Sequence, residues 1–386
     1  MRRYQSRLKG NLMRVMLIDD EPLALELLEI QLKKVCKISN LQKFTYLNIH
    51  KQARLIQETD VVFLDIEMPG NNGLELAEQI VEINPQLEIV FVTAFHQYAV
   101  EAFELQALDY LIKPVQVERL KKTVERLPTY INKHTSPTTK PSHFRVNISG
   151  ELSFEGENNT YEIIKWRTAK SKELFLYLLQ HTGKTVRKSK LVDLLWPDFE
   201  PNRAYSQLYT TIYNIRKTLG KYHEHFLIKS MHSSYSLIIK NVSIDITEWE
   251  NRLKAAPPLY FDTIQKYEEM MAIYGECYLS DEGYLWAEPE RFRLEKLWLK
   301  HAHQIANFYE QQRDVEKAIQ WYTNICNRHP DDEIAHFALM KIYAELGYGI
   351  FVHHQYEKLQ EALQELDIEI SEHIQRWYTS WRGVII

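Results

Sequence analysis

The chain has 386 residues, 45% hydrophobic and 26% charged, with a formal net charge of −5; that length suits two to four ordinary globular domains. No run of 18 apolar residues exists to mark a membrane-crossing helix, and three scattered cysteines (Cys36, Cys277, Cys326) argue against a disulfide or zinc framework. The overall charge gives no support to nucleic-acid binding by the whole chain, so that question is asked segment by segment.

Residues 1–12 read as an extension, or as sequence upstream of a start at Met13, because the apolar segment Met13–Ile18 is too short for a signal core and better spent as a strand. Val15-Met16-Leu17-Ile18 runs into Asp19 and Asp20, and Val61-Val62-Phe63-Leu64 runs into Asp65 and a Pro/Gly/Asn turn. Ile89–Val92 ends at Thr93, and Asp109–Ile112 at Lys113-Pro114. Apolar runs of this length predict buried strands of a parallel sheet, and in open α/β sheets the C-terminal strand edge is where sites form. Three carboxylates, a hydroxyl and an ammonium therefore converge on one edge. Carboxylates so close repel one another, and all-oxygen ligation predicts magnesium as the neutralising ion. Asp65 is then the expected nucleophile towards phosphorus, with Lys113 and Thr93 as donors to phosphoryl oxygens.

Residues 13–127 resemble the receiver domain of bacterial two-component response regulators, on Asp19-Asp20, the D-x-x-M-P-x-x-N-G pattern from Asp65 to Gly73, Thr93 and Lys113. The resemblance implies a flavodoxin-like, doubly wound α/β fold, bound Mg2+ and a sensor histidine kinase as phosphodonor. It also implies a fourth metal ligand in the backbone carbonyl of Glu67, and Tyr110 as an aromatic switch. A face formed by Ala99–Phe103 and Val117–Val124 would mediate pairing of phosphorylated receivers into a homodimer.

Composition changes after residue 127. The Pro/Ser/Thr-rich stretch 128–143 predicts an extended linker, and all 8 Trp lie at Trp166 or beyond. In 144–240, strand-like pieces (143–148, 152–154, 160–164) precede helical patterns over Lys170–His181, Lys188–Leu195 and Asn202 to about Leu219. The last carries Ala204, Leu208, Ile212, Ile215 and Leu219 at core-facing spacing, while its other face holds Arg203, Ser206, Thr210, Tyr213, Asn214 and Lys217 without a carboxylate. Two apolar runs, Phe226–Lys229 and Tyr235–Ile239, then predict a hairpin joined by 230–234. Between Gly183 and Ser230 nine Lys/Arg stand against four acids, a local +5 that fits a phosphate-binding module. Three helices and a hairpin describe a winged helix-turn-helix, which places those six side chains, with Lys229 and His232 of the wing, against double-stranded DNA. This segment resembles the winged-helix output domain of response regulators, through Ile212–Leu219, Ile228-Lys229-Ser230 and Tyr235. It departs at the wing tip, where His232-Ser233-Ser234 replace the family's glycines.

From 243 to 386 the pattern is helical. A 34-residue offset pairs Ile305 with Leu339, Tyr309 with Tyr343, Tyr322 with Tyr356 and Ile325 with Leu359, the period of tetratricopeptide arrays. Tyr278-Leu279 and Gly283–Arg291 make the block resemble the bacterial transcriptional activation domain of the Streptomyces antibiotic regulatory protein family. The chain is thus expected to be a cytoplasmic, non-enzymatic, phosphorylation-controlled transcriptional regulator with no membrane partner. Its helical array would complete a dimer, clamp the reader or touch RNA polymerase. Two other readings stay open: a magnesium-dependent phosphatase using Asp65, and a ligand-sensing transcription factor whose receiver is structural.

Overall fold

The computed structural model describes residues 12–69, 71–94, 109–134, 143–156, 161–162 and 164–385. They form two compact units: the chain up to Phe144 with Gly156–Val242, and Arg145–Glu155 with Ser243–Ile386.

The first unit opens with β1 (Leu12–Ile18), α1 (Pro22–Val35), β2 (Lys37–Phe44), α2 (Ile49–Glu58) and β3 (Val61–Leu64), then a short ribbon of β4 (Glu67–Met68) and β5 (Asn71–Asn72). It continues through α3 (Gly73–Ile83), β6 (Glu88–Thr93), β7 (Asp109–Ile112) and α4 (Val117–His134). Five strands make one parallel sheet in the order β2-β1-β3-β6-β7, the doubly wound, flavodoxin-like arrangement. Strand β3 is buried on both faces. Val61 and Phe63 join one apolar cluster with Leu25, Leu28 and Leu32 of α1, while Val62 and Leu64 join a second with Leu76 and Ile80 of α3. Each such side chain contributes about 1.5–3 kcal/mol on burial, which is why this strand needs no polar alternation. The sheet order reverses between β1 and β3, and Asp19, Asp20 and Asp65 follow those two strands.

Helix α4 continues to His134, seven residues beyond the expected linker boundary. Pro128 costs one helical hydrogen bond, but the helix is already committed upstream by Leu120, Thr123 and Leu127, all fully buried. Asp109, 8% exposed, pins it by accepting from Thr123 Oγ1 at 2.6 Å and Arg119 Nη1 at 2.7 Å. Thr123→Val should lower stability by ~1–3 kcal/mol, because a buried carboxylate loses a donor. A urea midpoint unchanged from the parent chain would contradict this.

The middle of the chain holds β8 (Phe144–Asn147), β9 (Ser153–Glu155), β10 (Tyr161–Glu162), α5 (Ala169–Gln180), β11 (Val186–Arg187), α6 (Lys188–Leu195), α7 (Pro201–Thr218), β12 (Phe226–Met231) and β13 (Ser234–Ile239). Helix α5 starts where the Thr168 hydroxyl accepts from Ser171 N at 3.0 Å, and α7 starts with Pro201 in its first turn. Leu174 and Leu178 of α5, Leu191 and Leu195 of α6, and Ala204, Leu208, Ile212 and Ile215 of α7 are all buried, as their spacing requires. The hairpin belongs to a three-stranded antiparallel sheet in the order β11-β13-β12. Its strands run longer than expected, leaving only His232-Ser233 as the turn. Neither residue adopts a left-handed backbone, so the glycines missing from the tip are not required there.

The expected segment 144–240 is divided between the two units. Arg145–Glu155 groups with the second unit because that unit satisfies its backbone. The Asp245 carboxylate accepts from Ile148 N at 3.1 Å and Ser149 N at 2.9 Å, while Gly150 N donates to Cys277 O at 2.9 Å. After β14 (Val242–Ile244), this unit is helical: α8 (Asp245–Lys254), α9 (Ile264–Ile273), α10 (Glu288–Gln311), α11 (Val315–Arg328), α12 (Glu333–Glu345), α13 (Gly349–Gln364) and α14 (Glu372–Ile385). The 34-residue period reappears in the backbone. Asp314 N donates to Tyr309 O at 3.0 Å, and one period on Tyr348 N donates to Tyr343 O at 2.8 Å. Arg313 and Gly347, also one period apart, take left-handed conformations (φ 60° and 76°) that stop α10 and α12 alike. Ile305, Leu339, Ile325 and Leu359 are fully buried in the array.

Candidate functional site

Each member of the acidic pocket is delivered by a strand end. Asp65 N donates to Ile18 O at 2.9 Å and Asp19 N to Phe44 O at 3.1 Å, so the ladder itself fixes where the carboxylates emerge. Carboxylate oxygens of Asp19, Asp20 and Asp65 lie within 4.8 Å of one another. The Lys113 ammonium bridges two of them, 2.7 Å from Asp19 Oδ2 and 2.7 Å from Asp65 Oδ2. Its backbone N–H donates to Thr93 O at 2.9 Å, the Lys113-Pro114 peptide is cis, and Thr93 is fully buried. The structure therefore brings Asp19, Asp20, Asp65, Thr93 and Lys113 to the same edge of one sheet.

Burial raises the Asp65 carboxyl above its ordinary value, against the pull of Lys113. Burial works against the Lys113 ammonium too, but its two carboxylate partners hold it above the usual lysine value. One atom remains unaccounted for. Asp65 Oδ1 is buried and accepts no hydrogen bond among the described residues. A buried carboxylate oxygen without a donor is costly unless a ligand completes it. That orphaned oxygen, in an all-oxygen donor set carrying two more carboxylates than its one lysine can neutralise, fits a hard divalent cation.

Glu67 lies in β4, two residues beyond the acceptor, with its side chain in solvent. Tyr110 is half-buried on β7 and packs against the cluster shared by α2 and α3. Of the expected pairing face, Val117–Val124 lies on α4, whereas Ala99–Phe103 falls outside the described residues.

The basic helix departs from expectation. Its acid-free face was predicted to stand open to a ligand, and most of it is closed. Ser206, Thr210, Tyr213 and Asn214 are 6%, 2%, 0% and 1% exposed. Tyr209 and Tyr213 of α7 complete the apolar cluster built on Leu76 and Ile80 of α3. Lys217 Nζ donates to Leu87 O at 2.6 Å and sits 3.3 Å from Glu88 Oε1, and burial pulls this ammonium below its ordinary value. Asn214 Oδ1 accepts from Arg167 Nη1 at 3.0 Å. Only Arg203, which lies over the Phe199 ring at 4.6 Å, and the hairpin residues Lys229 and His232 are exposed. The physical reason is that Tyr205, Tyr209 and Tyr213 make this face half apolar, and α3 and β6 supply the acids that α7 lacks.

Those acids were missed. Glu75, Glu78 and Glu82 recur at intervals of three and four along α3, one stripe of a helix. The stripe is visible in the residues, but an acidic stripe is ordinarily a solvated face, and nothing local says that its partners lie more than a hundred positions away.

Residues 15–125 match the response regulator receiver domain, and residues 261–381 match the bacterial transcriptional activator domain. An uncharacterized response regulatory protein of Vibrio cholerae is 50% identical over 92 residues, 24% of this chain and 38% of that protein. The sensory transduction protein LytT of Bacillus subtilis is 33% identical over 132 residues, 34% of this chain and 54% of that protein. The chain thus spans about half or less of these curated relatives. Among solved structures, Mycobacterium tuberculosis EmbR in complex with a low affinity phosphopeptide is 15% identical with a TM-score of 0.46, covering 62% of this chain and 65% of that one. The chain therefore carries a receiver domain at its start and a transcriptional activator domain at its end. No helix of the described residues is long and apolar enough to cross a membrane.

Proposed function

We propose that the chain is a phosphorylation-controlled, DNA-binding transcriptional regulator of the cytoplasm, with Asp65 accepting a phosphoryl group from a sensor histidine kinase. In this reading the segment from α5 to β13 is a winged helix whose α7 is the recognition helix, and the 34-residue array is tetratricopeptide-like. The observation that carries the proposal is Asp65 itself: a buried carboxylate with one oxygen on Lys113 and the other without a donor, beside Asp19 and Asp20.

Asp19, Asp20, Asp65 and the backbone carbonyl of Glu67 would hold magnesium, which supplies the charge neutralisation that a phosphoryl group needs to approach three carboxylates. Asp65 forms the new oxygen–phosphorus bond as the phosphorus–nitrogen bond of the donor histidine breaks, and the released imidazole nitrogen takes a proton from solvent. Lys113 can move from Asp65 to a phosphoryl oxygen without leaving Asp19, and the Thr93 hydroxyl donates to another. The product adds nearly two negative charges at the edge of the sheet. Tyr110 responds as the switch, and the α4 face including Val117–Val124 pairs two phosphorylated chains. Two recognition helices then read adjacent half-sites of duplex DNA, with Arg203, Ser206, Thr210, Tyr213, Asn214, Lys217, Lys229 and His232 as the contact set.

Acetyl phosphate with magnesium should add the mass of one phosphoryl group to the intact chain and none to Asp65→Asn. Binding to genomic DNA fragments should tighten with the adduct and weaken steeply with salt. An intact chain that gains no mass, or whose DNA binding ignores Asp65, would refute the reading.

A further inference from the structure

We infer that α3 is a latch: it holds the recognition helix closed through the buried carboxylate of Glu78, and the acceptor loop that launches α3 is what releases it. This rests on the proposed reading of α7 as the DNA-contacting helix.

The latch is a built ionic site. Glu78 has no exposed surface, and its carboxylate meets the Arg216 guanidinium, the Ser230 hydroxyl at 2.9 Å and the Tyr235 hydroxyl at 3.1 Å. One helical turn away Glu82 Oε2 takes Arg216 Nη2 at 2.7 Å, and one turn the other way Glu75 pairs with Lys188. A single acid stripe thereby engages α6, α7 and the hairpin together. Arg216 also donates to Ile228 O at 2.8 Å, so the cation is anchored on its own side and presented to α3.

The closed face is incompletely satisfied. The Thr210 and Tyr213 hydroxyls are buried without a hydrogen-bond partner among the described residues. Each costs free energy where it lies. Water or a phosphate backbone would satisfy both once the face opens. The closed state is therefore stabilised by charge and by tyrosine packing, and weakened at the positions assigned to DNA, which is what a two-state element requires.

The connection to the acceptor is direct. Gly73, the first residue of α3, donates its N–H to Ile66 O at 2.8 Å. Its missing side chain leaves room for the Asp65 carbonyl, and a Cβ there would stand 2.7 Å from Ile66 Cα. Asn72 Oδ1 caps the helix by accepting from Leu74 N at 2.8 Å. A change in the backbone of residues 65–66 is thus passed to the base of α3 without an intervening side chain. This route runs along α3, whose cluster Tyr110 also touches, and needs no receiver pairing.

Amine labelling of the full chain, read peptide by peptide, tests the latch without DNA. Lys188 and Lys217 should be protected relative to exposed Lys229, and magnesium with beryllofluoride should raise their labelling about tenfold or more. Asp65→Asn should not respond. Glu78→Gln should label without activator, because Arg216 then loses its buried counter-charge. If Glu78→Gln does not fold, the activated parent chain against Asp65→Asn decides alone. Protection of both lysines in the activated chain, or in folded Glu78→Gln, overturns the latch. Labelling that opens while DNA still fails to bind keeps the latch and rejects the winged-helix reading instead.

Discussion

Gly73→Ala is expected to lower stability by ~3 kcal/mol or more, at the upper end of what overpacking costs. The alanine Cβ would collide with the Asp65 carbonyl oxygen and lie 2.7 Å from Ile66 Cα and 3.0 Å from the Asp65 carbonyl carbon. All three are backbone atoms, so no rotamer change relieves the contact. The requirement is for space and not for a left-handed backbone, because Gly73 is the first residue of α3 with no positive φ. A urea titration checks the effect, and a variant with an unchanged midpoint would show that the acceptor loop yields freely. Phosphoryl transfer to such a variant should fall as well, since the strain falls on the residue that carries the acceptor.

Arg328→Ala should cost ~3–5 kcal/mol in the second unit, the usual penalty for leaving a buried charge without its partner. Arg328 Nε and Nη2 grip Glu295 at 2.7 and 2.8 Å, and Tyr274 adds its hydroxyl at 2.8 Å. The guanidinium also lies over the rings of Trp298 at 4.5 Å and Tyr274 at 4.8 Å. Burial alone would raise the Glu295 carboxyl, but Arg328 more than reverses this and holds it well below the ordinary range. Its folded value therefore lies below the unfolded one, near 4.3 for a free glutamate. The stabilisation is complete above that pH and is lost as pH falls towards the folded value. Glu295→Gln should accordingly flatten the acid side of the stability curve between about pH 4 and 2. Thermal or urea unfolding across that window measures it, and an identical acid slope in the variant would sink the assignment.

The acceptor pocket was legible because its logic is local. An apolar run of strand length ends in a polar side chain four times over, twice in a carboxylate, once in a hydroxyl and once in an ammonium, and a doubly wound sheet sends all those ends to one side. The core stripe of α7 was legible for the same reason, since Ala204, Leu208, Ile212 and Ile215 follow helical spacing into their own three-helix core. What could not be read was the fate of its other face. Hydrogen-bonding side chains such as Thr210 and Asn214 look solvent-facing whether or not another helix covers them. Glu78 and Arg216 announce their pairing only in three dimensions, 138 positions apart. The grouping of 145–155 with the second unit was unreadable for a related reason: its backbone partner Asp245 lies 97 positions downstream of Ile148. Pro128 misled in the opposite way, since a local breaker was outweighed by the packed turns before it.

Arg313 and Gly347 stop their helices with one backbone geometry, 34 residues apart, so the C-terminal array possesses a translational symmetry that the sheet unit lacks. Cohesion in such a stack accumulates neighbour by neighbour instead of about a single centre. Heat should therefore unravel it in steps, with the turns around Trp377 and Trp381 and the pair built on Ile305 and Ile325 melting separately.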